Sequence, residues 1–466
     1  MPRSERPRTV AELRKSRYKV VTVKQEIRNN LIKKIKKGEQ LFPKIVGFED
    51  SVIPHLENAI LAGQDIILLG ERGQAKSRLI RHIASLLDDE IPVIAGCELN
   101  DNPYSPICRQ CKDKVAADGD QVEIAWLPRE QRYSEKLATP DITVADLIGE
   151  IDPIRVAEGR YLSDELTIHY GLIPRTNRGI FCINELPDLS ERIQVGLFNL
   201  MEERDIQIKG YRIMLPLDIL LVASANPEDY TNRGRIITPL KDRYGAQIRT
   251  HYPKTWEDEL DIVEQEHVKF PDTSKSVTMP QYMREVIAEF TSLARRSPEV
   301  NQRSGVSVRV SIANYETLLG SAFKRSLRQK EAASPRVSDL PAIMASTTGK
   351  LEMESAEDGR ETKVVDDLIK KAVLNVFARY YDAKEFDAVL AAFESGLVVE
   401  VGSSIPSSDY VKDLRKMEQM PEMIKRIEPS GDPAPVASAI EFVLEGLHLN
   451  RRLNRGHIDG KFVYSV

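Results

Sequence analysis

Residues 65–83 read DIILLGERGQAKSRLIRHI, and this stretch restricts the possible folds more than any other in the chain. An apolar run leads into Gly70, a short polar loop follows, and a helical pattern opens at Lys76. Strand, glycine-containing loop and helix in that order make a phosphate cradle. Gly70 and Gly73 allow a tight turn that aims backbone N–H groups at phosphate oxygens. The helix N-terminus adds partial positive charge. Lys76 is placed to reach the β- and γ-phosphates of a nucleoside triphosphate, and Ser77 to ligate Mg²⁺. The expected binding set is Gly70, Glu71, Arg72, Gly73, Gln74, Ala75, Lys76, Ser77 and Arg78, with ATP and Mg²⁺ as its ligands. One position departs from the pattern Gly-x-x-x-x-Gly-Lys-Ser/Thr: Ala75 precedes the lysine where glycine is the rule. A Cβ there crowds the phosphates, or is tolerated if the local φ is negative. A chance glycine-rich turn is the competing explanation, and the flanking strand and helix argue against it.

A loop of this kind works with a second strand that ends in acidic residues. Residues 179–189, GIFCINELPDL, supply an apolar strand ending in Asn184-Glu185. Asn184 can accept a hydrogen bond from a water on Mg²⁺ but brings no charge. Glu185 is the group that would polarise the attacking water. Weaker Mg²⁺ binding or slower turnover is the expectation, without loss of hydrolysis. A third apolar run, 217–223, ends in Ser224-Ala225-Asn226-Pro227. Asn226 can sense a γ-phosphate there; taken alone, Asn-Pro reads as a turn. Arg243 in TPLKDRYG (238–245) and Arg309 in SGVSVRVSIA (304–313) can stabilise transition-state charge. The plainer reading of Arg243 is a surface ion pair with Asp242 or a nearby acid.

At 466 residues the chain is expected to hold about three units. Apolar runs at 65–69, 92–95, 179–183 and 217–223 alternate with helical patterns. This predicts an α/β core over 41–255, a parallel sheet covered by helices on both faces. Amphipathic helices follow at 280–296, 309–328 and 362–381, predicting an α-helical lid over 256–350 and a helical C-terminal extension over 351–466. Residues 1–40 form a basic arm, with thirteen Lys or Arg against four Glu, and 20–37 reads as a helix within it. Such an arm can touch nucleic acid, an acidic partner or an anionic membrane. The plainer reading is a solvated helical arm that docks on a neighbouring subunit. With a net charge of -5, the chain as a whole makes no case for nucleic-acid binding. No run approaches the roughly 18 apolar residues of a membrane span. The N-terminus lacks the apolar core of a signal peptide. Four cysteines do not make a disulfide framework, so a cytoplasmic protein is expected.

Cys97, Cys108 and Cys111 are spaced C-x10-C-x2-C, a cue for zinc. A structural site needs a fourth ligand. Cys182 belongs to the strand at 179–183, and His82 to the helix after the phosphate loop, where it is not obviously available. Three reduced thiols in a loop insertion is the alternative.

Taken in order, these residues resemble the AAA+ ATPases, in the branch of the magnesium chelatase I subunit and the MoxR-like proteins. The resemblance covers roughly residues 41–350 and rests on LLGERGQAKSRL, RGIFCINELPDLSERIQVGLFNLMEERDIQIKG, VASANPEDY and TPLKDRYG. It implies Walker A at Gly70, Gly73, Lys76 and Ser77, and the Walker B glutamate at Glu185. It also implies sensor 1 at Asn226, an arginine finger at Arg243 and sensor 2 at Arg309. The family forms homo-oligomeric rings, commonly hexamers, with ATP between subunits, and implies a partner bearing a von Willebrand-type metal-binding domain. ATP hydrolysis that remodels or activates a protein partner is the expected function. The extension past 350 exceeds a typical chelatase I subunit, so magnesium insertion into a porphyrin is not the first expectation. Residues 138–178 look like the helix-2 insert, and 203–215 like a hairpin around Lys209-Gly210; both are expected to face the ring pore or a partner. Ala75 and Asn184 leave open a slow or inactive nucleotide-binding structural subunit. A sigma-54-type transcriptional activator is the third reading, against which no Gly-Ala-Phe-Thr-Gly-Ala run occurs and 436–456 fits a helix-turn-helix poorly.

Overall fold

A computed structural model describes residues 6–157, 165–202, 206–208, 211–213, 215–226, 235–354, 359–458 and 460–466. The chain divides into two compact units, Met1–His251 and Tyr252–Val466. The described strands of the first unit are β1 (Ile66–Leu69), β2 (Glu90–Ile94), β3 (Ile124–Pro128), β4 (Tyr133–Leu137), β5 (Gly149–Ile151), β6 (Ile168–Tyr170), β7 (Gly179–Asn184), β8 (Ile206–Ile208), β9 (Tyr211–Ile213), β10 (Ile219–Ala225) and β11 (Ala246–Arg249). Five of them form one parallel sheet in the order β11-β1-β10-β7-β4.

The apolar runs have no polar face because both faces of this sheet are covered. Side chains alternate between the faces with period two. Ile67, Phe181, Ile183, Leu221 and Ala223 enter one apolar layer. Ile66, Leu68, Ile180, Cys182, Leu220 and Val222 enter the other. The 92–95 run does not join this sheet as expected. It lies in β2, which pairs antiparallel with β3 from Glu90↔Pro128 to Ile94↔Ile124. Pro92 has no N–H to give to a central ladder, which suits it to this two-stranded ribbon. The place beside β7 is taken by β4.

The basic arm is no solvated appendage. Its helices α1 (Val10–Lys15) and α2 (Val23–Lys37) start at Thr9 and Thr22, whose side chains cap them. Val10 and Leu13 are buried in one layer, and Val23, Ile27 and Leu31 in the other. Apolar residues at helical spacing therefore override the surrounding charge. Glu26 and Arg132 form a buried bidentate pair with both bonds at 2.7 Å. Lys24 pairs with Asp65 at 2.9 Å, and both carboxylate oxygens of Asp218 accept from the Val23 N–H. Three further helices matter below: α3 (Val52–Leu61), α4 (Lys76–Ala84) and α5 (Arg109–Asp118).

Within 138–178, β5 and β6 pair antiparallel, and residues 158–164 lie outside the described residues. Within 203–215, β8 and β9 form an antiparallel hairpin, and Lys209 and Gly210 lie outside the described residues.

In the second unit, helices at Gln281–Ala294, Arg309–Gln329 and Arg360–Tyr380 stand where the amphipathic patterns place them. They share a core with the helix Pro433–Leu449, which is buried from Ala434 to Leu447. A Cβ on Gly446 would lie 2.1 Å from the Phe377 ring, so glycine sets that helix contact. The second unit also holds a small antiparallel sheet in the order β12 (Val399–Val401), β14 (Lys461–Ser465) and β13 (Asn454–Ile458), the last two forming a hairpin. Among the described residues, no helix is long and apolar enough to cross a membrane.

Candidate nucleotide site

Ligands of open parallel sheets bind at the carboxyl ends of the strands, where the strand order reverses. Here β1 has that position, with β11 on one side and β10 on the other. The loop from Gly70 to Ala75 leaves β1 and opens α4 at Lys76. The Gly70 N–H donates to the Ala225 carbonyl at the end of β10 (3.1 Å). A Cβ on Gly70 would lie 1.9 Å from Thr250 Oγ1 and 2.3 Å from Gln74 Oε1, so only glycine fits. Gln74 is buried; its Oε1 accepts from the Glu71 N–H (3.1 Å) and from the Thr250 hydroxyl (2.7 Å). Thr250 in turn follows β11, so that strand clamps the loop.

Ala75 has φ 53° and ψ 16°, in the left-handed region. The negative φ that would have accommodated its Cβ is absent, and the alanine costs about 1–2 kcal/mol relative to a relaxed backbone. Lys76 is buried, with its Nζ donating to the carbonyls of Gly70 and Glu71, the latter at 2.9 Å. Ser77 is exposed in the first turn of α4. A cavity of about 410 Å³ adjoins the loop, lined by Leu69, Gly70, Glu71, Gln74, Lys241, Arg249 and Thr250. Its size is that of a small-molecule site, and two of its walls are cationic.

Asn184 ends β7, two strands from the loop, and its amide is bonded through both Nδ2 and Oδ1. Its Nδ2 donates to Glu135 on β4. Its Oδ1 accepts from the Ser224 hydroxyl (3.2 Å) and from the Cys182 thiol (3.5 Å). Burial pushes that thiol up to about 12, so it keeps its proton. Glu135 also accepts from Tyr133 (2.9 Å) and pairs with Arg81 of α4 (3.3 Å). Burial alone raises the Glu135 carboxyl, but the hydrogen bonds from Tyr133 and Arg81 outweigh it and hold the group below its usual range. An ionised carboxylate therefore lies directly beside the uncharged Asn184. Glu185 follows with φ 56°, a second left-handed non-glycine residue, and its N–H donates to Ser224 Oγ (3.2 Å).

No protein-family model matches the chain. It is 30% identical to the Magnesium-chelatase subunit ChlI of Nostoc sp. over 231 residues, which is 48% of this chain and 58% of that protein. The Magnesium-chelatase subunit ChlI homolog of Methanocaldococcus jannaschii is 26% identical over 234 residues, again 48% of this chain and 58% of the relative. Over these spans the chain is similar to magnesium-chelatase I subunits. A solved complex between subunits BchI and BchD of magnesium chelatase superposes with a TM-score of 0.35 at 20% identity, covering 70% of this chain and 98% of that one. That score is too low to bear on function. The chain spans little more than half the length of the two curated relatives.

Asn226 follows β10 between the two phosphate strands. It is buried, and among the described residues its Oδ1 has no hydrogen-bond partner. Pro227 lies outside the described residues. Arg243 ends the helix Thr238–Arg243, where it pairs with Glu202 and with Asp242 (3.1 Å) and lies 5.2 Å from the Phe198 ring. Arg309 is exposed at the first residue of its helix in the second unit. Cys97, Cys108 and Cys111 gather in the segment between β2 and β3, and Asp101 stands with them. Glu135, Ser224 and Thr250 escaped the sequence reading. Glu135 sits in YSEKL, whose polar residues conceal a sheet strand, and Thr250 is joined to the loop only by the strand order.

Proposed function

We propose that this chain binds ATP with Mg²⁺ on the loop from Gly70 to Ser77 and hydrolyses it between the subunits of a ring, driving the remodelling of a protein partner. The supporting observation is that the loop, Asn226 and the Asn184-Glu185 pair stand at the carboxyl ends of the adjacent strands β1, β10 and β7. Lys76 would exchange its carbonyl contacts for phosphate oxygens. Glu185 would orient and polarise the attacking water, and Asn226 would offer its amide to the γ-phosphate. Arg243 would come from the neighbouring subunit, and Arg309 keeps the second-sensor role that the resemblance gives it.

The residues fit Mg²⁺. Ser77 presents a hydroxyl at the helix N-terminus, and Glu135 and Glu185 supply carboxylates near an otherwise neutral strand end. Mg²⁺ is held mainly by phosphates and waters in such sites, so few protein ligands suffice. When bound, it would neutralise the charge developing on the phosphate oxygens. The hexameric ring and the von Willebrand-type partner follow from the family resemblance, a cytoplasmic setting from the sequence reading, and all three belong to this proposal.

Steady-state ATP hydrolysis by the purified chain tests it, with Glu185→Gln as the paired control. Turnover abolished by the substitution supports the motor. A second reading has its own observations: the strained Ala75 and the Asn184 amide already bonded to Glu135 and Ser224 suit a subunit that holds ATP and turns it over slowly. ATP binding by calorimetry, with turnover no higher than in Glu185→Gln, would favour that reading.

A further inference from the structure

The segment between β2 and β3 places three thiols and one carboxylate around a common point. One ligand atom from each of Cys97, Asp101, Cys108 and Cys111 lies within 4.8 Å of all the others. The sulfurs of Cys97 and Cys108 are 3.9 Å apart. Two thiolates on a tetrahedral ion with metal–sulfur distances of about 2.3 Å stand about 3.8 Å apart. A disulfide would instead bring them to about 2.05 Å.

Asp101 is fully buried. Its Oδ2 accepts from the backbone N–H groups of Ile107 and Cys108, each at 3.1 Å, which fixes the carboxylate plane. Its Oδ1 is buried and, among the described residues, has no hydrogen-bond partner. A buried carboxylate oxygen left this way is costly unless a cation meets it. Backbone donors reach two of the sulfurs. Cys97 Sγ accepts from the N–H groups of Leu99 (3.3 Å) and Asp101 (3.4 Å), and Cys108 Sγ from Cys111 (3.4 Å). Cys108 caps the ten-residue helix α5 and Cys111 lies in its first turn, at the positive end of the helix dipole.

We propose that Cys97, Asp101, Cys108 and Cys111 bind a structural Zn²⁺ ion. Thiolates favour zinc over the hard cations, and four protein ligands close the site to solvent chemistry. Binding sends the three thiol protons to solvent and changes no oxidation state. The ion would brace the nucleotide strands through a short relay. The Leu99 carbonyl accepts from Asn177 Nδ2 (2.8 Å), and Asn177 Oδ1 accepts from the Asp218 N–H (2.9 Å). Asn177 lies two residues before β7, and Asp218 immediately precedes β10.

The test uses the full chain, purified under reducing conditions. Zinc is measured by plasma mass spectrometry, and Co²⁺ is then exchanged into the site. We expect about one zinc per chain, a thiolate-to-cobalt charge-transfer band, and loss of both in Cys108→Ser. In the wild type, which needs no altered fold, a chelator is expected to release the zinc and open the three thiols to a thiol reagent together. Asp101→Asn is expected to weaken zinc binding at least 10-fold and to shift the cobalt ligand-field bands. Wild-type protein with little zinc and chelator-independent thiol reactivity would overturn the proposal, as would a Cys97–Cys108 disulfide in peptide mapping. Unchanged zinc affinity and cobalt bands in Asp101→Asn would overturn the ligand set.

Discussion

The side-chain amide of Asn184 donates a hydrogen bond to the carboxylate of Glu135 on the neighbouring parallel strand. The negative charge expected at the end of β7 is therefore present, but on a different strand. This has a consequence for any attempt to restore the usual acid.

Asn184→Asp alone would remove the donor and press two carboxylates together, so one of them must hold a proton. Without Mg²⁺ the variant is expected to lose about 1–3 kcal/mol of stability. A carboxyl whose folded pKa is raised contributes stability that is present at low pH and lost as pH climbs through the raised value. The deficit should accordingly grow with pH. Adding Glu135→Gln restores a donor–acceptor pair and should recover both stability and Mg²⁺-dependent turnover. Urea midpoints in acidic and alkaline buffer decide the matter; equal midpoints for single and double variants at every pH would show that the two positions are uncoupled.

Ala75 carries a side chain at φ 53°. Ala75→Gly relieves about 1–2 kcal/mol of backbone strain and gives back about 0.4–1 kcal/mol through a more flexible unfolded chain. A small net gain in stability and a several-fold gain in ATP affinity are expected, read from denaturation midpoints and calorimetry. A β-branched residue should do the opposite, and an Ala75→Val protein that binds ATP as well as wild type would count against the argument.

Glu26 and Arg132 are both buried and bonded twice to each other. Glu26→Ala strands the guanidinium and should cost about 3–5 kcal/mol. The exposed Lys37–Glu39 pair, 3.4 Å apart, offers the contrast: Lys37→Ala should change stability by less than about 1 kcal/mol. Chemical denaturation of the two variants side by side measures the difference, and comparable losses would contradict the burial argument.

Arg243 is tied to Glu202 and Asp242 within its own chain. If it serves the site of a neighbouring subunit, Arg243→Ala should cut turnover on the order of 10³-fold and leave ATP binding intact. Mixing that variant with Glu185→Gln should restore part of the activity, because each chain supplies what the other lacks. A mixture as inactive as its components would confine Arg243 to a structural role.

The parts of the site written into contiguous sequence were legible: the loop at Gly70–Ser77, the strand ending at Asn184-Glu185, and Asn226 after the strand between them. Parts that depend on strand neighbours were not. The 92–95 run and β4 compete for the edge beside β7, and apolar content favoured the wrong one. Glu135 became a candidate only once β4 was paired with β7. Asp101 lies in a polar run of Glu98, Asn100 and Asn102, and nothing but the fold distinguishes it from them. Backbone conformation was equally hidden, since no spacing rule says that Ala75 and Glu185 turn left-handed.

The Val23 N–H is held by Asp218, 195 positions further along the chain. A growing polypeptide cannot make that contact until most of the first unit has been synthesised. At roughly 5–20 residues per second, α2 waits about 10–40 s for its anchor. Until then the stripe of Val23, Ile27 and Leu31 can pack on α3 but lacks its sheet partners Leu220 and Val222. The lysines and arginines interleaved with it act as gatekeepers against aggregation. Charge that reads as a docking arm in the finished sequence is thus equally a safeguard during translation, built into a helix whose far anchor is made much later.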